Sequence, residues 1–274
     1  MGQIISLKYD DSFKLLFQNE KVRRHFLSDV LGFPLKEIRS VALANSFLLK
    51  QYFKQKQGIL DVVVELNNDS RIDIELQIKV LDHWDKRSLF YLSKMFIGNL
   101  RRGEDYEKLK RCVCISVLGF HLDERPEYHK VYRLRDETGH EYSDLLEMHI
   151  IELNKPLHGT GRIDDWIRLI NAETEEELEM LEASTQNMGI LEAIKEVRIM
   201  SFGKKRRIMQ EAHLKEVRDR NARDSYVRKE GLQQGEERLN RLNLSLIADK
   251  RYEDLEKAAK DKEFREKLYK EFKI

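Results

Sequence analysis

One stretch of the sequence constrains the fold more than any other, because its side chains alternate strictly between polar and apolar. Residues 71–78 read Arg-Ile-Asp-Ile-Glu-Leu-Gln-Ile, and a β-rich run precedes them over residues 58–66. The two runs are separated by Asn-Asn-Asp-Ser, which is typical of a turn. Since successive side chains of a strand point to opposite faces, the pattern predicts a β-hairpin with one apolar face packed on a core.

The register of this hairpin follows from matching polarity across the two strands. Partners in an antiparallel pair have a constant sum of residue numbers. A sum of 136 pairs Glu65 with Arg71 and Asp61 with Glu75, whereas a sum of 137 sets Asp61 against Leu76 and mixes polar with apolar faces. We therefore predict the first register, which brings the Cβ atoms of Asp61 and Glu75 to about 5 Å from each other.

Two carboxylates at that separation repel each other unless a cation lies between them or one of them stays protonated. Mg²⁺ binds a few carboxylate and carbonyl oxygens and keeps several of its waters. Asp61, Glu75 and the carbonyl of Leu76 therefore form a candidate metal site, and Gln77 lies on the same face to bond a water or a phosphate oxygen. The alternative is that these side chains form the solvent-exposed polar face of an ordinary hairpin.

Elements on both sides of the hairpin predict an α/β fold. Helical spacing of apolar residues is found before and after it, and a buried strand follows. The predicted helices cover residues 10–17, 19–31 and 82–102, and the predicted strands cover residues 112–120, 129–135 and 144–153. Asp164 or Asp165 begins another helix, and from Thr174 onward helix formers dominate and proline is absent.

Composition excludes several classes of protein for this chain of 274 residues. Apolar runs are too short for a transmembrane helix, and no basic segment followed by an apolar stretch opens the chain. Cys112 and Cys114, the two cysteines, lie in an apolar strand and are expected to be buried thiols of a reducing compartment. We therefore expect a cytoplasmic protein that has no membrane partner.

Charge is distributed unevenly along the chain. Residues 1–170 carry 27 basic and 26 acidic side chains, residues 171–190 carry six glutamates and no base, and residues 191–274 carry 23 basic and 17 acidic side chains. We predict an α/β domain over residues 1–170 and a helical C-terminal region over residues 171–274 that serves oligomerisation or contact with a polyanion.

Two features of this C-terminal region each allow two interpretations. The basic cluster of residues 204–207 is either a contact for DNA or a solvated helix face. Leucines at positions 232, 239, 242 and 246 have the spacing of a short coiled-coil seam, which favours a homo-oligomer, or they pack within the chain.

The hairpin residues resemble the active-site pattern of the PD-(D/E)XK nuclease superfamily, an aspartate on one strand followed by Glu-x-Lys or Glu-x-Gln on the next. Here the pattern reads Asp61 and then Glu75-Leu76-Gln77. The surrounding motifs are similar to those of the Rpn family of recombination-promoting nucleases and transposases, over roughly residues 8 to 240. In order, they are Asp11-Ser12-Phe13-Lys14-Leu15-Leu16-Phe17, Leu60-Asp61-Val62, Ile74-Glu75-Leu76-Gln77, Arg87 with Tyr91, Gly103-Glu104-Asp105-Tyr106, Glu152-Leu153-Asn154-Lys155, and Glu230-Gly231 with Gly235.

This resemblance implies a restriction-endonuclease-like fold, a mixed sheet flanked by helices, and Mg²⁺- or Mn²⁺-dependent hydrolysis of DNA linked to recombination or mobile DNA. The residues that it assigns fall into three groups. The catalytic residues would be Asp61, Glu75, Gln77 and Asp11, the metal ligands Asp61, Glu75 and Leu76, and the DNA contacts Lys14, Arg87 and Tyr91. Glutamine at position 77 replaces the usual lysine of the superfamily, as is typical of the Rpn family, and removes a positive charge.

Several alternatives remain open at this point. Asp11 has the position of a helix cap as much as that of a site residue. Arg87 and Tyr91, one helical turn apart, are as consistent with a stacked surface pair as with a phosphate contact. The chain as a whole could be a catalytically weak DNA-binding or oligomerisation protein that retains the nuclease fold.

Overall fold

The structure is a computed structural model that describes residues 2–44, 47–48, 58–59, 61–100, 103–159, 161–202 and 204–274, with the backbone alone at 47–48, 58–59, 204–217, 219–224 and 226–227. Its helices are α1 (Asp10–Leu16), α2 (Glu20–Leu31), α3 (Trp84–Ile97), α4 (Asp164–Asn171), α5 (Glu175–Ser184), α6 (Met188–Ser201), α7 (Lys204–Ala248), α8 (Tyr252–Lys260) and α9 (Lys262–Glu271). Its strands are β1 (Val41–Leu43), β2 (Phe47–Leu48), β3 (Gly58–Ile59), β4 (Val62–Leu66), β5 (Ser70–Gln77), β6 (Arg111–Leu118), β7 (His129–Arg135) and β8 (Glu141–Glu152).

Six of these strands form one mixed sheet in the order β1-β4-β5-β6-β8-β7. The antiparallel pair β4–β5 is the predicted hairpin, and Glu65 lies opposite Arg71, so the predicted register is confirmed. Strands β5, β6 and β8 run parallel, with Gln77, Leu118 and Glu152 in register at their carboxyl ends. Because β4 runs against β5, Asp61, the residue before β4, lies at the same edge of the sheet.

Helices pack on both faces of the sheet. The even-numbered side chains of β5, which are Ile72, Ile74 and Leu76, belong to the main core together with side chains from α1, α2, α4, α5 and α6. On the opposite face, Tyr91 and Met95 of α3 pack on buried residues of β4 and β6. This arrangement of a mixed sheet between helices agrees with the fold class expected from the sequence.

The second face explains why the polar side of the hairpin is not exposed. Asp73 and Glu75 are only 1% and 4% exposed, because α3 covers the face of β5 on which they lie. The alternative interpretation of this face as an ordinary solvated one is therefore wrong for these two residues. Cys112 and Cys114 are buried free thiols, as the apolar strand predicts.

The chain divides into two compact units, Met1–Gln210 and Glu211–Ile274. Helices α5 and α6 belong to the first unit, since Leu178, Ile190 and Ile194 lie in the main core. The first compact unit thus extends past residue 170 and includes the acidic segment of residues 171–190. The division of function between residues 1–170 and 171–274 stays a prediction.

The second unit has a small core of its own. Leu242 and Leu246 of α7 are buried against Leu268 and Tyr269 of α9. Two of the four leucines of the proposed coiled-coil seam are therefore used within the chain, whereas Leu232 is exposed. Self-association through this region stays a prediction.

Two further sequence-based expectations concern membranes and polyanions. The side chains of the basic cluster at residues 204–207 lie outside the described ones. In the described part of the chain, no helix combines the length and the apolar character that crossing a membrane requires.

Candidate functional site

Three carboxylates lie near the carboxyl edge of β5. Asp73 and Glu75 project from the same face of that strand, and Asp61 immediately precedes the Val62–Ile74 pair that ends the hairpin ladder. One more step of the same register sets Asp61 opposite Glu75, as the sequence predicts. We refer to Asp61, Asp73 and Glu75 as the site carboxylates.

Asp61 is held by one backbone donor and one cation. The backbone N–H of Leu76 donates to Oδ2 of Asp61 at 3.1 Å, and Nζ of Lys14 lies 3.0 Å from Oδ1. Burial raises the pKa of Asp61, and the negative charge of Asp10 raises it further, while Lys14 and the Leu76 N–H act in the opposite direction. The net effect is a raised pKa, so these two partners do not fully compensate the buried charge.

Glu75 is less well compensated than Asp61. Its Oε1 lies 3.4 Å from a guanidinium nitrogen of Arg87, and its Oε2 is buried without a hydrogen-bond partner among the described residues. Burial and the charge of Asp61 raise the pKa of Glu75 to about 7, against the opposing effect of Arg87. A buried carboxylate oxygen without a partner is costly, and binding a cation is one way to satisfy it.

Asp73 is a member of the group that the sequence did not single out. Its Oδ2 lies 4.0 Å from Sγ of Cys114, and its Oδ1 has no hydrogen-bond partner in the described part of the chain. Burial raises the pKa of Asp73 well above its usual range, and the charges of Glu75 and Asp61 add to this. Alternation already placed Asp73 on the face of Glu75, but no sequence signal showed that a helix would cover that face.

Helix α1 supplies a lysine to the site, Lys14, and the aspartate that pairs with this lysine is Asp10 and not Asp11. Nζ of Lys14 lies 2.8 Å from Oδ2 of Asp10, one helical turn earlier. Burial lowers the pKa of Lys14, but its bonds with Asp10 and Asp61 outweigh that effect and leave the pKa raised. Asp11 is exposed in the first turn of α1, and the N-cap position belongs to Tyr9. The spacing of four residues between Asp10 and Lys14 is the signal that could have identified Asp10.

Arg87 and Tyr91 form the stacked pair that was the alternative to a phosphate contact. The guanidinium of Arg87 lies 4.8 Å from the centroid of the Tyr91 ring. Tyr91 is 5% exposed and packs in the core beneath α3, while Arg87 is about one-third exposed and also reaches Glu75. Of the two predicted DNA contacts on α3, Arg87 is thus the accessible one.

Leu76 and Gln77 are the last two residues of β5, and their polar groups point in different directions. The side-chain amide of Gln77 donates to the carbonyl of Lys79 at 2.7 Å, and the carbonyl of Gln77 accepts from the N–H of Gly119 on the β6 side. Because backbone groups of adjacent strand residues point to opposite neighbours, the carbonyl of Leu76 is directed to the Asp61 side, as its N–H is.

The side chains alone do not form a closed metal site. No group of three or more His, Cys, Asp or Glu side chains in the described ranges is arranged to hold a metal ion. Asp61 and Glu75 would supply two carboxylates, so further ligands would have to come from the Leu76 carbonyl and from water. That ligand set suits Mg²⁺, which commonly uses one or two carboxylates and retains several waters.

A cavity of about 760 Å³ lies elsewhere, between α3 and the β7–β8 end of the sheet. Mainly apolar side chains line it, among them Trp84, Leu89, Phe120 and Leu134, and none of the site carboxylates does. Since the expected chemistry depends on charged groups, we locate the candidate site at the carboxylates and not in this cavity.

Comparison with known proteins gives one match. A family model described as PD-(D/E)XK nuclease family transposase matches residues 7–226, which is well over half of the chain. No curated protein and no solved structure matches the chain significantly. The match confirms the resemblance found at Asp61 and Glu75-Leu76-Gln77, and with the six-stranded mixed sheet it confirms the restriction-endonuclease-like fold class.

Proposed function

The chain belongs to the PD-(D/E)XK nuclease family transposases, and on that premise we propose that it is a divalent-metal-dependent DNA endonuclease that acts in recombination or on mobile DNA. One observation supports this proposal more than any other. Glu75 buries an oxygen for which the described part of the chain offers no hydrogen-bond partner, at the sheet edge where Asp61 and Leu76 also lie. Such a site is electrostatically incomplete without a cation.

The residues present fit a hard divalent ion. Asp61 and Glu75 are both carboxylates whose pKa is raised by burial and by neighbouring negative charge, so a cation between them would relieve both effects. We assign Asp61, Glu75 and the Leu76 carbonyl as its protein ligands and Mg²⁺ as the ion, with Mn²⁺ as a substitute. When bound, the ion supplies an activated water and neutralises charge on the phosphate.

The proposed reaction is hydrolysis of a DNA phosphodiester. Water adds to phosphorus, one P–O bond breaks, and a proton passes to the leaving oxygen, so no further reactant is required. Gln77 would orient the water or a phosphate oxygen, for which its amide must leave the carbonyl of Lys79. Asp11, on the exposed side of α1, would assist from farther away.

Contacts with the DNA backbone would come mainly from cations near the site. Lys14 and Arg87 are partly exposed and positively charged, whereas Tyr91 would act by supporting the guanidinium of Arg87.

The same proposal includes a cytoplasmic location, which is expected from the buried thiols of Cys112 and Cys114. It also includes self-association through the C-terminal helices.

Cleavage of supercoiled plasmid by the purified full chain tests this function. The assay is run with Mg²⁺, with Mn²⁺ and with chelator, and it compares the wild-type protein with Asp61→Ala and with Glu137→Gln. Glu137 is an exposed carboxylate in the β7–β8 turn and serves as the matched control. We expect metal-dependent nicking that falls by at least about 100-fold in Asp61→Ala and is unchanged in Glu137→Gln.

The alternative function predicts a different result. If folded wild-type protein binds DNA but cuts in neither metal, the chain is a DNA-binding or oligomerisation protein that retains the fold. Cleavage that persists in Asp61→Ala would place the active site somewhere other than the hairpin edge.

A further inference from the structure

The charges at the site are unbalanced in a way that matters for an anionic substrate. Among the described residues, three carboxylates, Asp10, Asp61 and Glu75, are in contact with two cations, Lys14 and Arg87. A phosphodiester carries a negative charge and is repelled by such a cluster. Besides the metal ion assigned above, a side-chain cation that faces the phosphate at the reacting centre would lower the barrier to hydrolysis further.

Lys14 is the cation best placed for that task. Its ammonium lies between Oδ1 of Asp61, at 3.0 Å, and Oδ2 of Asp10, at 2.8 Å. An ammonium group has three hydrogens, so these two bonds leave one for a phosphate oxygen. The side chain is 33% exposed, so a substrate at the sheet edge can reach it.

The other polar side chains near the strand end are less suited. Gln77 carries no charge, and its amide is bonded to the carbonyl of Lys79. Arg87 is at 3.4 Å from Glu75, and its guanidinium is stacked on Tyr91, which fixes it over the face of the sheet. Among the cations of the described residues, only Lys14 contacts Asp61, the residue before β4.

We propose that Lys14 is a catalytic residue that contacts the scissile phosphate and stabilises the charge developing on it, and that Asp10 is a positioning residue that holds the Lys14 ammonium beside Asp61. This inference rests on the proposed nuclease function and extends it to α1. Asp10 and Lys14 are one turn apart on the same helix, so their ion pair fixes the lysine side chain along the helix surface. A residue that only bound DNA would change affinity, whereas this assignment predicts a change in turnover.

The test separates turnover from binding. Cleavage is measured at several DNA concentrations for Lys14→Met, Asp10→Asn, the double variant and Lys21→Met. Lys21 is an exposed lysine of α2, 3.9 Å from Glu192, and serves as the control. DNA affinity is measured separately by fluorescence anisotropy of a labelled duplex with Ca²⁺ in place of Mg²⁺.

We expect kcat to fall about 100-fold or more in Lys14→Met and about 10-fold in Asp10→Asn, with KM and the anisotropy Kd within about threefold of wild type. The double variant should be no slower than Lys14→Met, because Asp10 acts through the lysine. Lys21→Met should match the wild type in every measurement.

Three results would overturn the assignment. A kcat within about threefold of wild type for Lys14→Met would exclude a catalytic role, and a loss of affinity as large as the loss of cleavage would make Lys14 a binding residue. Asp10→Asn with wild-type kcat would exclude the positioning role. If the wild-type protein itself does not cut while Kd is measurable, the proposed nuclease function fails first, and the catalytic role of Lys14 fails with it.

Discussion

Strands β5 and β8 run parallel in one sheet and bury carboxylates near the same edge, but the surroundings of those carboxylates differ. On β5, Glu75 and Asp73 each have a buried oxygen without a partner in the described chain. On β8, Glu152 is 0% exposed, and both of its oxygens accept hydrogen bonds. The two strands therefore allow a comparison, within one protein, of buried carboxylates that have one oxygen without a partner with a buried carboxylate that has partners for both oxygens. We call the first the unpaired side and the second the paired side.

The paired group, which we call the Glu152 cluster, consists of Asp123, Lys130, Glu152 and Lys155. Nζ of Lys130 lies 2.6 Å from Oε2 of Glu152 and 2.6 Å from Oδ1 of Asp123, and Nζ of Lys155 lies 3.0 Å from Oε2. Oε1 accepts from the N–H of Leu122 at 2.5 Å. Burial alone would raise the pKa of Glu152, but these bonds outweigh it and leave the pKa lowered.

The difference in hydrogen-bond partners indicates that the two groups of buried carboxylates have different roles in this fold. The Glu152 cluster ties the segment between β6 and β7 to the sheet, because Lys155 also donates to the backbone carbonyls of Asp123 and Arg125. Asp73 and Glu75 have raised pKa values and lack comparable donors among the described residues. A buried charge with its own partners stabilises a structure once it is folded, whereas an unsatisfied one is a place for a ligand.

The largest expected effect is on the paired side of the comparison. Glu152→Gln removes the buried anion that Lys130 and Lys155 share and leaves them only the more exposed Asp123, so we expect the free energy of unfolding to fall by about 3–5 kcal/mol. Urea unfolding followed by tryptophan fluorescence measures it, because Trp84 and Trp166 both lie in the first unit. Glu141→Gln, on an exposed pair with Arg135 in the same unit, is the control and should cost at most about 0.5 kcal/mol. A loss below about 1 kcal/mol in Glu152→Gln would remove the contrast between the strands.

A second paired cluster on β7 and β8 predicts an effect of pH. His129 Nε2 lies 2.9 Å from His149 Nδ1, and His149 Nε2 lies 2.6 Å from Glu147. Burial and the charge of His149 lower the pKa of His129 to about 4, against the opposing charge of Glu147. Since the unfolded chain binds this proton near pH 6.5, stability is complete above that value and is lost as pH falls towards 4.

We expect this effect to amount to about 1–2 kcal/mol between pH 7 and pH 4.5, since His129 is only partly buried. Urea unfolding at a series of pH values, for wild type and for His129→Gln, measures it as the difference between the two curves. The variant should lose less stability than the wild type over that range. Parallel curves would mean that His129 titrates normally in the folded protein.

The last expected effect concerns Asp73, on the unpaired side. Here stability falls as pH rises, the opposite of the pH dependence expected for His129. The pKa of Asp73 is raised, so the folded state holds a proton that the unfolded chain releases above about pH 4, and stability falls as pH rises. Asp73→Asn removes this cost. We expect Asp73→Asn to be more stable than the wild type at pH 8 in chelator and no more stable than the wild type near pH 4. Destabilisation of Asp73→Asn at pH 8 would show that Asp73 has a stabilising partner in the folded protein.

Local sequence determined the hairpin and the identity of its polar face. Strict alternation over residues 71–78, together with the turn before it, was sufficient to predict the pairing of Glu65 with Arg71. A shift by one residue would have placed apolar side chains against polar ones, so one register was strongly preferred. For the same reason Asp61 and Glu75 could be identified as neighbours, and the motif they form led to the correct family.

Tertiary packing decided what surrounds those residues. Alternation distinguishes two faces of a strand but not whether a helix covers the second one, so the burial of Asp73 and Glu75 depended on where α3 packs. Helical spacing places Asp10 beside Lys14, but packing decided that this face of α1 is turned towards Asp61.

The extent of the first unit and the use of the C-terminal leucines were also decided by packing. Helices α5 and α6 join the main core through contacts distant in sequence, which composition does not report. The spacing of Leu242 and Leu246 is compatible with an intermolecular seam and with an internal core. In the structure these two leucines pack against α9, so they belong to an internal core. A periodic pattern fixes which side of an element is apolar, whereas the partner of that side is fixed only when the elements pack together.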